Sequence, residues 1–271
     1  MKLTDQLFPP YLNTANQYDK HFPFQPMGTR AEGPAVVATQ FFLVGAKFLH
    51  GVANRRHDAT TYITRVFDDP AWWALKKLQA RLGFDEAGQD GNLGPGTRTK
   101  TFEHYGIKFD WIPWALTQQP RTWWNPDSRK LETWDATLFP PCLGESPEDT
   151  TLYPSGAHVL ALELLLAGAG IGIDPQSGNS GQIGLSGRFG GDVTFALKRF
   201  QETELGLSGR DVNGILDLRV HGNSSTRVAI MRTYGLDLAT IPADIFKGKT
   251  RWFAIASYKE WPEHPDWPPE E

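Results

Sequence analysis

The chain has 271 residues, 40% of them apolar, with 10 Trp and 16 Phe, which suffices for a buried core in each of about two domains. Net charge is −4 and Lys and Arg never stand more than two together, which excludes the basic stripe of a nucleic-acid binder. No apolar run approaches the roughly 18 residues of a membrane span.

In chain order, residues 1–25 read as an N-terminal extension. They lack the apolar centre of a secretory signal, so cytoplasmic synthesis is expected, with any export or release by another route. A first helix is predicted over 35–48, followed by a loop carrying His57 and Asp58. A second is predicted over 70–82, with Pro70 in the first turn, where its missing N–H does no harm. There Ala71, Leu75, Leu78 and Leu82 recur at spacings of three and four and mark the buried stripe. Trp73, Lys76 and Lys77 fall on the opposite, solvated face. A third helix starts near Thr97, read as its N-cap, and closes at Gly106. Trp111, Trp114, Trp123 and Trp124 then form an aromatic tail. Residues 138–151, rich in Pro, Gly, Ser and acid, read as a linker. The single Cys142 lies within it and reads as an inert small residue.

The same order returns after the linker. A helix is predicted over 158–169, then a stripe of Val193, Leu197, Phe200 and Leu205, then a helix from Thr226 to Gly235, then Trp252 and Phe253. Ala74-Leu75-Lys76-Lys77-Leu78-Gln79 reappears as Ala196-Leu197-Lys198-Arg199-Phe200-Gln201. Gly45-Ala46 answers to Gly168-Ala169, Thr97-Arg98 to Thr226-Arg227, and Tyr105-Gly106 to Tyr234-Gly235. Ordered matches separated by small changes of offset imply an internal duplication. The expected architecture is mainly α: two three-helix units, 26–137 and 152–261, with Trp-rich tails, a 138–151 linker and a 262–271 C-terminal tail.

These repeats resemble the three-helix peptidoglycan-binding domain found beside bacterial wall hydrolases. That family carries a Val-x-x-Leu-Gln start, an Asp-Gly-x-Phe-Gly-x-x-Thr turn into a helix ending Phe-Gln, and a second Asp-Gly-x-x-Gly-x-x-Thr turn. The second repeat supplies Val159 and Leu162, with Glu163 at the Gln position, then Gly187, Phe189, Gly190 and Gln201, then Asn213, Gly214 and a delayed Thr226. Val193 stands where the family has Thr. The first repeat complements it with Gln40 and with Asp90, Gly91, Gly94 and Thr97, while its middle turn keeps only Phe67. The resemblance covers about two thirds of the chain and leaves the Trp-rich tails outside.

The Asp-Gly and Phe-Gly turns read as scaffold, because glycine supplies positive φ and aspartate bonds its own backbone. The exposed aromatics are better binding candidates: Trp73 with Lys76 and Lys77, and Phe195 with Lys198 and Arg199. The competing reading has the Trp-rich tails cover these rings. No nucleophile elbow, His-Glu-x-x-His or phosphate loop occurs, and no His or Cys recurs between the repeats, so neither catalysis nor a metal or other cofactor is expected. The resemblance implies non-catalytic binding of cell-wall peptidoglycan or its fragments. The alternative is a structural or adaptor protein, in a phage particle or a contractile secretion system, using the scaffold to contact a protein partner.

Overall fold

The computed structural model describes residues 31–49, 63–109, 112, 114–125, 127–144, 153–171, 185–217, 225–248 and 250. It is mainly helical with short antiparallel strands. In chain order the elements are α1 (Pro34–Gly45), α2 (Asp69–Arg81), α3 (Pro95–Tyr105), α4 (Trp114–Thr117), β1 (Arg121–Asn125), β2 (Lys130–Trp134) and β3 (Cys142–Leu143). There follow α5 (Ala157–Gly168), α6 (Gly191–Thr203), β4 (Leu216–Asp217) and α7 (Thr226–Tyr234).

Helices α1 and α5 are the centre. Every residue of both is buried, as expected of helices that are apolar all round. They pack on each other along their length, and the closest approach is made by Gly45 and Gly168 at their last residues. A Cβ on Gly45 would strike the Leu165 carbonyl oxygen, and one on Gly168 the Phe42 carbonyl oxygen. Glycine is therefore required at both positions by backbone contact. Helix α1 stops three residues before its predicted end because Lys47 turns left-handed (φ 61°) and Phe48 N–H bonds back to the Leu43 carbonyl.

The other helices are amphipathic and lie around this pair. Helix α2 is capped by Asp68, which accepts from Ala71 N–H at 3.2 Å, and buries Ala71, Ala74, Leu75, Leu78 and Gln79. Helix α6 buries Val193, Ala196, Leu197, Phe200 and Gln201. Helices α3 and α7 end at the left-handed Gly106 (φ 71°) and Gly235 (φ 66°), as the sequence predicts. Their starts differ from the prediction. Gly94 is the N-cap of α3, with Thr97 inside the first turn, and Ser225 is the N-cap of α7. The two threonine hydroxyls are committed to side chains of the preceding helices instead.

The core is one continuous cluster drawn from both halves. Phe41 of α1 stacks on Phe246 (6.1 Å) and meets Phe139 edge-on (6.3 Å). Segments following α3 and α7 cross to the opposite half. Thr122 N–H donates to the Ser155 carbonyl (2.9 Å), and Arg121 donates to the Ala243 carbonyl. Reciprocally, Ala35 N–H at the start of α1 donates to Thr250 Oγ1 (3.1 Å), and Arg65 donates to the Lys247 carbonyl.

Two expectations are corrected. The first aromatic tail is a β-hairpin: β1 and β2 pair antiparallel, and Trp123 meets Trp134 edge-on at 5.7 Å. Thr122, Trp123 and Trp124 are residue types that suit a half-buried strand. The described part of the linker, 138–144, belongs to the core. Leu138, Phe139 and Leu143 are buried, Leu138 N–H donates to the Ile241 carbonyl (2.8 Å), and β3 pairs with β4. The Pro and Gly content signalled flexibility, but three apolar side chains tie the segment down. Trp111, Trp252 and Phe253 lie outside the described residues, as do His57 and Asp58.

Replacing Gly45 or Gly168 by alanine should each cost about 2–3 kcal/mol, since the new methyl meets backbone that cannot yield as a side chain does. The check is the midpoint of urea unfolding; an unchanged or higher midpoint would contradict the close α1–α5 crossing.

Candidate functional site

Two glutamines organise the turns singled out in the sequence. Gln79 on α2 has three acceptors within reach of the two Nε2 hydrogens, Asp90 Oδ1 (2.7 Å), the Asn92 carbonyl (3.0 Å) and Thr97 Oγ1 (3.1 Å), and its Oε1 accepts from Gly91 N–H (2.8 Å). Gln201 on α6 likewise has Asn213 Oδ1 (3.0 Å), the Ile215 carbonyl (3.1 Å) and Thr226 Oγ1 (2.7 Å) within reach of its two Nε2 hydrogens, and accepts from Gly214 N–H (2.8 Å). Each glutamine thus fixes an Asx turn, a left-handed glycine and the first turn of the next helix. Gly91 and Gly214 have φ of 70° and 75°, a conformation glycine adopts without strain. Asp90, Gly91 and Thr97 are therefore brought together around Gln79, and Asn213, Gly214 and Thr226 around Gln201, as two polar nodes.

A second pair of nodes holds the turns before α2 and α6. Gln40 of α1 accepts from Thr64 N–H (3.1 Å) and Arg65 N–H (3.3 Å), while Glu163 of α5 accepts from Ser186 N–H (3.2 Å) and Gly187 N–H (2.9 Å). Arg65 and Gly187 are both left-handed (φ 66° and 60°). Phe189 is fully buried beside this turn, and Gly190 is the N-cap of α6. Burial pushes the Glu163 carboxyl up to about 8, against the lowering effect of its hydrogen bonds to Gly187 and Ser186. His158 is fully buried, and burial pushes it down to about 3. The neutral ring meets the Thr122 carbonyl through Nε2 at 2.9 Å, which locates its hydrogen on Nε2.

The exposed faces of α2 and α6 differ. Trp73 is half-buried: it meets Trp72 edge-on at 4.8 Å, and Lys76 Nζ lies 5.2 Å from its ring centre and 4.7 Å from that of Trp72. Trp72 in turn donates from Nε1 to the Asp90 carbonyl (3.0 Å). Lys77 is exposed beside them. On α6, Phe195 is 56% exposed, the most open large apolar side chain among the described residues, with Lys198 exposed and Arg199 half-buried on the following turn. Trp73 is in contact with Trp72 and Lys76, a neighbour and a cation of its own helix. The sequence reading passed over Trp72, although its position before Trp73 was the available signal.

A flat ring open to solvent with cations on the next turn can stack on an apolar sugar face and attract carboxylates. Among the described residues no group of three or more His, Cys, Asp or Glu is arranged to hold a metal ion, and no helix is long and apolar enough to cross a membrane.

Gln79→Ala or Gln201→Ala should each lower stability by about 3 kcal/mol, because truncation strands buried backbone groups of the turn. Urea unfolding of each variant measures this, and a loss below about 1 kcal/mol would show that the glutamine does not hold its turn. Comparison with known protein families, curated proteins and solved structures finds no match.

Proposed function

We propose that this chain is a non-catalytic peptidoglycan-binding protein built from two diverged copies of one three-helix unit. The duplication is supported by the paired polar nodes, in which Gln79 and Gln201 address the same atoms of turns at corresponding places. The observation that carries the binding reading is the open Phe195 ring, next to Lys198 and Arg199. Its chemistry suits a glycan that bears acidic peptide groups: the ring faces sugar C–H, and the cations face carboxylates. Trp73, Lys76 and Lys77 are the matching face of the first copy, and there the ring is half-covered. The second copy is accordingly the principal binding module.

The half-covered Trp73 also favours a second reading, in which the scaffold serves protein contact as an adaptor in a phage particle or contractile secretion system. The two readings part in one experiment. Phe195→Ala should reduce sedimentation of the protein with purified wall sacculi by about tenfold while moving the melting temperature little, since an exposed side chain contributes little to folding. Lys198→Ala combined with Arg199→Ala should weaken sedimentation further and make the remainder insensitive to salt. Wild-type protein that does not sediment with sacculi would leave the adaptor reading standing alone.

A further inference from the structure

Gln40 and Glu163 sit in matching networks, but only one of them is an amide, and this fixes what the other must do. Gln40 Nε2 can only donate, to Thr64 Oγ1 (2.9 Å) and the Val66 carbonyl (3.0 Å). The Thr64 hydroxyl, accepting from Gln40 and from Val66 N–H (3.3 Å), has the Val66 carbonyl (3.0 Å) as the nearer acceptor for its own hydrogen and Asp68 Oδ2 (3.5 Å) as the farther one. In the second half the Ser186 hydroxyl accepts from Arg188 N–H (3.1 Å) and lies within reach of two acceptors, Glu163 Oε1 (2.8 Å) and the Arg188 carbonyl (3.2 Å). Serine has one hydrogen for the two. An ionised Glu163 takes that hydrogen and leaves the Arg188 carbonyl with the Gly190 N–H (3.0 Å) as its donor. A protonated Glu163 instead donates from Oε1 to Ser186 Oγ, and the serine hydrogen goes to the Arg188 carbonyl, as the Thr64 hydrogen goes to the Val66 carbonyl in the first half. Oε1 then also receives Ser186 N–H (3.2 Å), where Gln40 takes both backbone N–H groups on Oε1.

We propose that Glu163 is a neutral carboxylic acid in the folded protein and acts as a proton-operated latch on the turn at 186–188. The surroundings favour the neutral form. Glu163 is 2% exposed. Helices α1 and α4, packed on α5, contribute no ionisable side chain, and the His158 of α5 itself is neutral. Helix α6 contributes Asp192, whose negative charge opposes ionisation, and the turn contributes the exposed Arg188. The latch matters because the Gly187 carbonyl accepts from Gly156 N–H (3.0 Å) and Phe189 N–H donates to the Pro154 carbonyl (2.8 Å). The same turn therefore secures the start of α5 and leads into α6, the helix that carries Phe195.

A carboxyl held neutral by the fold stabilises it fully below the ordinary carboxylate range, and that stability is lost as pH rises through about 8. The test is an NMR titration of the Glu163 side-chain carboxyl in the wild-type chain, with melting temperatures of wild type and Glu163→Gln from pH 5 to 9. The carboxyl is expected to titrate near pH 8. Wild type and variant should melt together at pH 5, and wild type should fall below the variant by about 5 °C or more at pH 9. Titration near the ordinary 4.5, or a variant less stable than wild type at every pH, overturns the proposal. The converse variant Gln40→Glu should bring the same alkaline sensitivity to the first half. Its absence counts equally against the latch.

Discussion

Backbone meeting backbone at Gly45 and Gly168 is the contact on which the rest of the architecture depends. Neither α1 nor α5 keeps a solvent face, and each is mostly apolar. Neither helix could be covered by its own half alone. The segments that follow α3 and α7 therefore cross over, so that Thr122 reaches Ser155 and Thr250 reaches Ala35. The described residues of the two halves share a single core.

Burying α1 and α5 on every side sets a second requirement. Gln40 and Glu163 are polar residues in mostly apolar helices, and a buried polar group without partners is costly. Each is satisfied by the turn that precedes the next helix, so the same side chain that relieves its own desolvation also fixes that turn. Gln79 and Gln201 repeat the device one helix later. Packing and turn geometry are thus linked through four side chains.

The parts of this that could be read from the sequence were those governed by local rules. Spacings of three and four located α2, and glycines marked the ends of α3 and α7. The matched segments around Gln79 and Gln201 pointed to two related turns. What escaped the reading depended on contacts distant in the chain. Thr97 and Thr226 satisfy the ordinary preference for an N-cap, yet their hydroxyls bond to Gln79 and Gln201, and Gly94 and Ser225 take the cap. Residues 138–144 have a linker's composition, but Leu138 and Phe139 are held by Ile241 and the α1 aromatics, which no local pattern records.

The asymmetry between the two outer faces traces to a single residue pair. Trp72 and Thr194 each lie over the left-handed glycine of the following turn, Gly91 and Gly214 respectively. A tryptophan there donates to the Asp90 carbonyl, and its ring also forms a wall against which Trp73 packs, with Lys76 drawn over both. A threonine covers the glycine with one methyl group and has no ring to offer Phe195. Lys198 then lies along the Gly214 turn instead of over an aromatic wall, and Phe195 stays open. The residue that protects the turn therefore also decides whether the neighbouring aromatic is packed into the fold or left exposed. In the first half that choice favours the fold, and in the second it favours the surface.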